Sequence, residues 1–159
     1  MGQAGGGDTE KLMARAFLPT VAIGRVPIHA MLVPFPIVCF TGALVFDITY
    51  ANTALIQWSN FSAWLLALGE IIGCIAAIFG LIDFLAAGSM RPRIGWFHMI
   101  GNGAILVIEG FNNFVHARDG YTSVVPTGLT LSVIAVVLMA VTGFLGWRMA
   151  YVHIGKERP

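Results

Sequence analysis

Long uncharged stretches alternate along the chain with short polar segments, and the alternation predicts four helices. No charged residue lies between Arg25 and Asp47, which places a first helix at about 26–49. Asn52, Gln57, Ser59 and Asn60 mark a turn, and the next apolar run predicts a helix at about 62–87, ending before Arg91-Pro92-Arg93. A third covers about 95–117, the polar segment from His116 to Gly120 and then Pro126 follow, and a fourth covers about 128–151. Each span exceeds the ~20 residues that cross a ~30 Å hydrocarbon core, so four crossings are expected. The fold class is all-α: an integral membrane four-helix up-down bundle over 26–152. A polar, Gly-rich N-terminal tail precedes it over 1–25, with at most one amphipathic turn on the membrane surface, and a short tail follows over 153–159.

Composition agrees with this pattern. The chain is 57% hydrophobic and 11% charged, against about 25% charged residues in soluble domains, so the excess apolar surface must face lipid. Eight of the nine Lys and Arg residues lie in the N-terminal tail, the 88–95 loop or the last dozen residues. By the positive-inside rule these three segments are cytoplasmic, giving an N-in, C-in topology. No basic patch interleaved with aromatics exists, which excludes a nucleic-acid partner and leaves the lipid bilayer as the expected one. Cys39 and Cys74 fall in different apolar runs and read as small core residues rather than a disulfide framework. The first apolar run starts too late and runs too long for a cleaved signal peptide, so it is expected to stay as an anchor. Trp58, Trp64, Trp96, Trp147 and Tyr151 lie near predicted boundaries and suit an interfacial belt.

Ionisable residues inside a span are costly and usually face the bundle interior. In the third helix His98, Asn102, Ile105, Glu109, Asn112 and His116 recur at alternating steps of four and three, which sets them on one face. In the first helix His29 and Asp47 share a face about 27 Å apart along the axis, with Pro34 and Pro36 expected to kink the helix between them. The second carries Gly69, Gly73, Ala76, Gly80 and Asp83 on a small-residue seam that permits close helix approach. Depth then sorts the polar residues into an inner cluster of His29, Asp83, His98 and Asn102 and an outer set of Asp47, Glu70, Glu109 and His116. Glu70 and Glu109 read as neutral, hydrogen-bonded carboxyls, because desolvation disfavours the charged form. Helices 1 and 3 both open with an Arg, a Pro or Gly, and then a His, which alone does not define a repeat.

The run from Val26 to Pro36, with His29 at its fourth position, Asp47 further on, Gly80-Leu81-Ile82-Asp83, and His98 followed by Asn102 together resemble an uncharacterised bacterial membrane family catalogued as domain of unknown function 2231. The resemblance spans about residues 24–152. Ala30 departs from the family pattern, which usually has Pro after the His. The resemblance implies a multi-pass protein of the bacterial inner membrane and brings no established activity with it. Some relatives look fused or adjacent to redox modules, an association only.

In an up-down bundle helices 1 and 3 are parallel diagonal neighbours, so histidines at equal depth can face each other. Two such imidazoles are the arrangement that holds a b-type haem in membrane cytochromes. The leading expectation is a haem-b-binding electron-transfer subunit, with His29 and His98 as axial ligands, Asn102 beside them and the macrocycle edge on Gly73, Ala76 and Gly80. Its partner would be a redox protein or a larger membrane assembly. One alternative is a metal or small-ligand site of His29, His98 and Asp83, since two His and a carboxylate suit Zn or non-haem Fe. Another is a structural or proton-coupled subunit without cofactor. In none of these is the chain expected to be an enzyme by itself.

Overall fold

The computed structural model describes residues 21–24, 26–87, 93–118 and 124–154. Residues 1–20 and Arg25 of the tail expected over 1–25, residues 88–92 of the middle loop, residues 119–123 and the end of the chain after 154 lie outside them, as do the side chains of 149–154. Among the described residues four helices are long and apolar enough to cross a membrane. We label them α1 (Ile28–Thr53), α2 (Ile56–Ala86), α3 (Arg93–His116) and α4 (Leu129–Ile154).

Proline sets the shape of α1. Pro34 and Pro36 have no N–H to give to Ala30 and Leu32, and the helix is interrupted at Val33 between Ile28–Leu32 and Pro34–Thr53. Val33 still donates to the His29 carbonyl at 3.1 Å, so the two pieces run on as one span. Ahead of α1 the short strands β1 (Ala22–Ile23) and β2 (Val26–Pro27) pair antiparallel, a local feature that a purely helical reading omits. The turn between them uses Gly24 at φ 65°, where a residue without Cβ is favoured.

The connection from α1 to α2 is far shorter than the polar run suggests. α1 continues to Thr53, Ala54 turns left-handed at φ 55°, Leu55 is extended, and α2 begins at Ile56. Thr49, Asn52 and Thr53 return their side chains to carbonyls four residues back, so polar residues there lie within the helix. Gln57, Ser59 and Asn60 likewise fall in the first turns of α2, with Ser59 fully buried.

Each helix packs on two others: α1 and α3 both contact α2 and α4. The start of α1 meets the end of α2 through His29 and Gly80, and the start of α3 meets the end of α4 through His98 and Gly146. Buried residues form one stripe per helix: Pro36, Cys39, Phe40, Ala43 and Asp47 in α1, and Ser59, Ser62, Leu66, Gly69, Gly73 and Ala76 in α2. In α3 the stripe is Gly95, Ile105, Glu109, Asn112 and His116; the last four belong to the face expected from the spacing, whose other members His98 and Asn102 are half-buried. The other faces expose large apolar side chains such as Val38, Trp64, Phe97 and Phe114. Polar inside and apolar outside is the distribution of a bundle solvated by lipid. Phe40, Ala43, Leu66 and Ile105 form a dry cluster between the two polar regions.

The small-residue seam of α2 is filled by its neighbours. A Cβ on Gly69 would lie 2.7 Å from the Phe40 ring, and one on Gly73 would lie 2.8 Å from Leu106. The glycines allow close helix approach, as expected.

Candidate functional site

Toward the start of α1 and α3 the chain brings His29, His98 and Asn102 together. The His29 Nδ1 lies 2.8 Å from the Ala76 carbonyl of α2, and the His98 Nδ1 lies 2.9 Å from the Thr142 carbonyl of α4. A carbonyl only accepts, so Nδ1 carries the proton in each neutral ring and Nε2 keeps its lone pair. Each imidazole rests on a glycine one turn beyond the carbonyl it binds. A Cβ on Gly80 would come within 2.8 Å of the His29 Nδ1, and one on Gly146 within 2.9 Å of the His98 Cε1. The ring centres are 6.4 Å apart with planes at 88°. A ring nitrogen lies only about 1.1 Å from its own ring centre, so nitrogens of the two rings stay at least about 4 Å apart, beyond hydrogen-bond reach.

Asn102 donates through Nδ2 to the His98 carbonyl at 2.7 Å and lies 3.3 Å from the His98 Nε2. Asp83 holds the segment that enters α1, its Oδ1 accepting the Val21 backbone N–H at 3.3 Å. Among the described residues no three or more His, Cys, Asp and Glu gather into a group that could hold a metal ion. Both histidines are half-buried, so this end of the core is more open than the other.

At the opposite end the polar residues are sealed. Asp47, Ser62, Glu109, Asn112, His116 and Ser132 are each no more than 1% exposed. The His116 Nε2 meets the Asp47 Oδ1 at 2.8 Å, while its Nδ1 donates to the Asn112 carbonyl at 3.0 Å. Both ring nitrogens thus face oxygen acceptors, and one proton is shared between Asp47 and His116 whichever of them holds it. Ser132 donates to the Asp47 Oδ2 at 2.6 Å and accepts from the Asn112 Nδ2 at 2.8 Å. The second Asn112 amide hydrogen goes to the Glu109 Oε2 at 3.0 Å. Ser62 donates to the Ala43 carbonyl and adds its hydroxyl 3.3 Å from the His116 Nε2. Glu70 stands apart from this chain of bonds, accepting from the Cys74 thiol at 3.7 Å.

A family model described as a predicted membrane protein, DUF2231, matches residues 25–158. The chain belongs to the DUF2231 family. No curated protein and no solved structure matches it.

The structure adds an internal correspondence to this DUF2231 chain. Sixty-nine residues separate His29 from His98 and Asp47 from His116 alike, while sixty-six separate Ala76 from Thr142 and Gly80 from Gly146. The α1–α2 and α3–α4 hairpins therefore present corresponding positions to the centre. At one end the His29 and His98 pair and the Gly80 and Gly146 pair are identical, and at the other the Asp47 and His116 pair is complementary. Ser62, Ser132, Thr142 and Gly146 are site residues that the sequence pattern alone does not single out. Gly146 and Thr142 become visible only when α4 is aligned on the seam of α2.

Proposed function

We propose that this chain is an up-down membrane bundle, both ends cytoplasmic in a bacterial inner membrane, that holds a haem b between His29 and His98 and serves electron transfer. The observation that carries the reading is the matched pair of imidazoles, each with Nδ1 committed to a helix carbonyl and an Nε2 lone pair left to accept, that of His98 with the Asn102 amide 3.3 Å away. Tying the distal nitrogen to an oxygen acceptor is how proteins orient histidine ligands and fix their tautomer. Were the two Nε2 atoms turned toward each other, their separation would approach two metal–imidazole bonds of ~2.0–2.1 Å.

Two protein nitrogens without a third ligand suit an iron that brings its own equatorial donors better than a bare ion such as Zn, which takes three or four protein ligands. This favours haem over the His29, His98 and Asp83 metal site. When bound, haem would supply reversible one-electron chemistry. Gly80 and Gly146 would seat the axial rings, Ala76 and Thr142 would hold their tautomers, and Asn102 would flank His98.

The test is the visible spectrum of the purified protein after expression with haem supplied. A Soret band with a reduced-minus-oxidised difference is expected, and it disappears in His29→Ala and His98→Ala. A pigment-free preparation, or a Soret band that survives both substitutions, refutes the proposal.

A further inference from the structure

The sealed polar region at the far end contains more oxygen than its hydrogen bonds consume. Among the described residues Glu109 Oε1, Asn112 Oδ1, Ser59 Oγ and Glu70 Oε2 are buried without a hydrogen-bond partner. Asn112 cannot serve Glu109 further, because both hydrogens of its amide are committed, one to Glu109 Oε2 and one to Ser132. Asp47 and His116 neutralise each other. Glu109 has no such counter-charge, although it is fully buried.

The groups facing Glu109 are few. Among the described residues α1 contributes Asp47, α2 contributes Glu70, α3 itself contributes His116 and Asn112, and α4 contributes the uncharged Ser132 through its bond to Asn112. A carboxylate placed among these would be an uncompensated charge inside the membrane, where even insertion scales assign ~2.5–3.5 kcal/mol to an acid at mid-span. The neutral acid avoids that cost. With Oε2 accepting from Asn112, its proton sits on Oε1, the atom left without a partner.

The geometry points to Glu109 as a proton-binding site that exchanges with the side of the membrane on which α3 ends, and not with the His29 and His98 side. His116, Asn112 and Glu109 descend from the α3 terminus on one face, reaching about 10 Å into the bundle. Below Glu109 the face continues with Ile105, which with Phe40 and Leu66 forms the dry cluster. Asn112 and His116 seal this end in the structure, so discharge waits on water transiently reaching Oε1 from the α3 end, which takes the proton and leaves a carboxylate whose Oε2 is already held by Asn112. This site is separate from the histidine pair and does not depend on a haem.

Infrared difference spectroscopy on the full chain in lipid nanodiscs, with isotope-labelled glutamate, tests it. A protonated glutamate carbonyl band is expected at neutral pH. It shifts in heavy water, is lost reversibly as pH rises, persists in Glu70→Gln and is absent in Glu109→Gln. In Glu70→Gln the one glutamate left within a span is Glu109, so the solvent shift and pH response of that variant decide the matter even if Glu109→Gln fails to fold. A band that neither exchanges nor titrates makes Glu109 a purely structural acid and overturns the proposal. A response to sodium at constant pH, rather than to pH, assigns the unpaired oxygens to a metal cation and also overturns it. Liposomes carrying the protein and a trapped pH dye hold an imposed pH step as well as protein-free ones do; collapse of that step would reveal a through path and end the one-sided assignment.

Discussion

Replacing Gly80 or Gly146 with alanine tests whether these glycines exist to seat the two histidines. The added Cβ on Gly80 would lie 2.8 Å from the His29 Nδ1, and ordinary contact begins at 3.4 Å, so the ring must retreat by several tenths of an ångström. Its hydrogen bond to Ala76, 2.8 Å long, would then stretch to the limit of useful geometry. Losing such a bond costs about 0.5–1.5 kcal/mol, and overpacking a filled site about 1–3 kcal/mol. Alanine returns up to about 1 kcal/mol through helix propensity, leaving a net loss of roughly 1–3 kcal/mol. Gly103 is the control, because nothing lies within 4 Å of a Cβ built there. Gly103→Ala should therefore be neutral or stabilising by up to about 1 kcal/mol. Equilibrium unfolding in mixed detergent micelles, followed by circular dichroism, measures all three. Haem absorbance after reconstitution should fall in Gly80→Ala and Gly146→Ala and stay unchanged in Gly103→Ala. If all three variants gain stability alike, the glycines are not seats and the argument fails.

Asp47→Ala removes the acceptor shared by His116 and Ser132 and should destabilise the bundle by about 3–5 kcal/mol, the cost of breaking a buried pair, read as an earlier unfolding midpoint. Asp47→Asn keeps the shape and one acceptor and should lose less than the alanine variant in the same assay. Topology reporters fused after Gly88 and at the C-terminus should report cytoplasm, and those near Ser59 and Tyr121 the opposite side; a C-terminus outside the cytoplasm would contradict the positive-inside assignment. His98→Ala should abolish the chromophore while the protein still elutes as a folded species, whereas a purely structural His98 would show loss of folding with no chromophore to lose.

The two ends of the bundle were not equally legible. The α3 seam could be read because Glu109, Asn112 and His116 are conspicuous against an apolar background, and their spacing gave the face that the structure buries. Serine and glycine carry no such signal, since either is tolerated facing lipid or facing a neighbour. Ser62, Ser132 and Gly146 therefore emerged only from contacts. The polar run after Tyr50 misled for a related reason: threonine and asparagine hydroxyls and amides satisfied by carbonyls one turn back remain helical, so a polar segment need not be a loop. The correspondence between hairpins was hidden because the offset is sixty-nine in one helix pair and sixty-six in the other, and because few matched positions keep the same residue. Once superposed, those positions separate two kinds of chemistry. An Asp opposite a His satisfies itself, as the 2.8 Å contact between Asp47 and His116 shows, and needs nothing from outside. A His opposite a His, each with Nδ1 already committed, offers two Nε2 lone pairs, that of His98 lying 3.3 Å from the Asn102 amide. A group bound between or beside the rings could use both, which is why the proposed haem is assigned to the matched pair rather than to the complementary one.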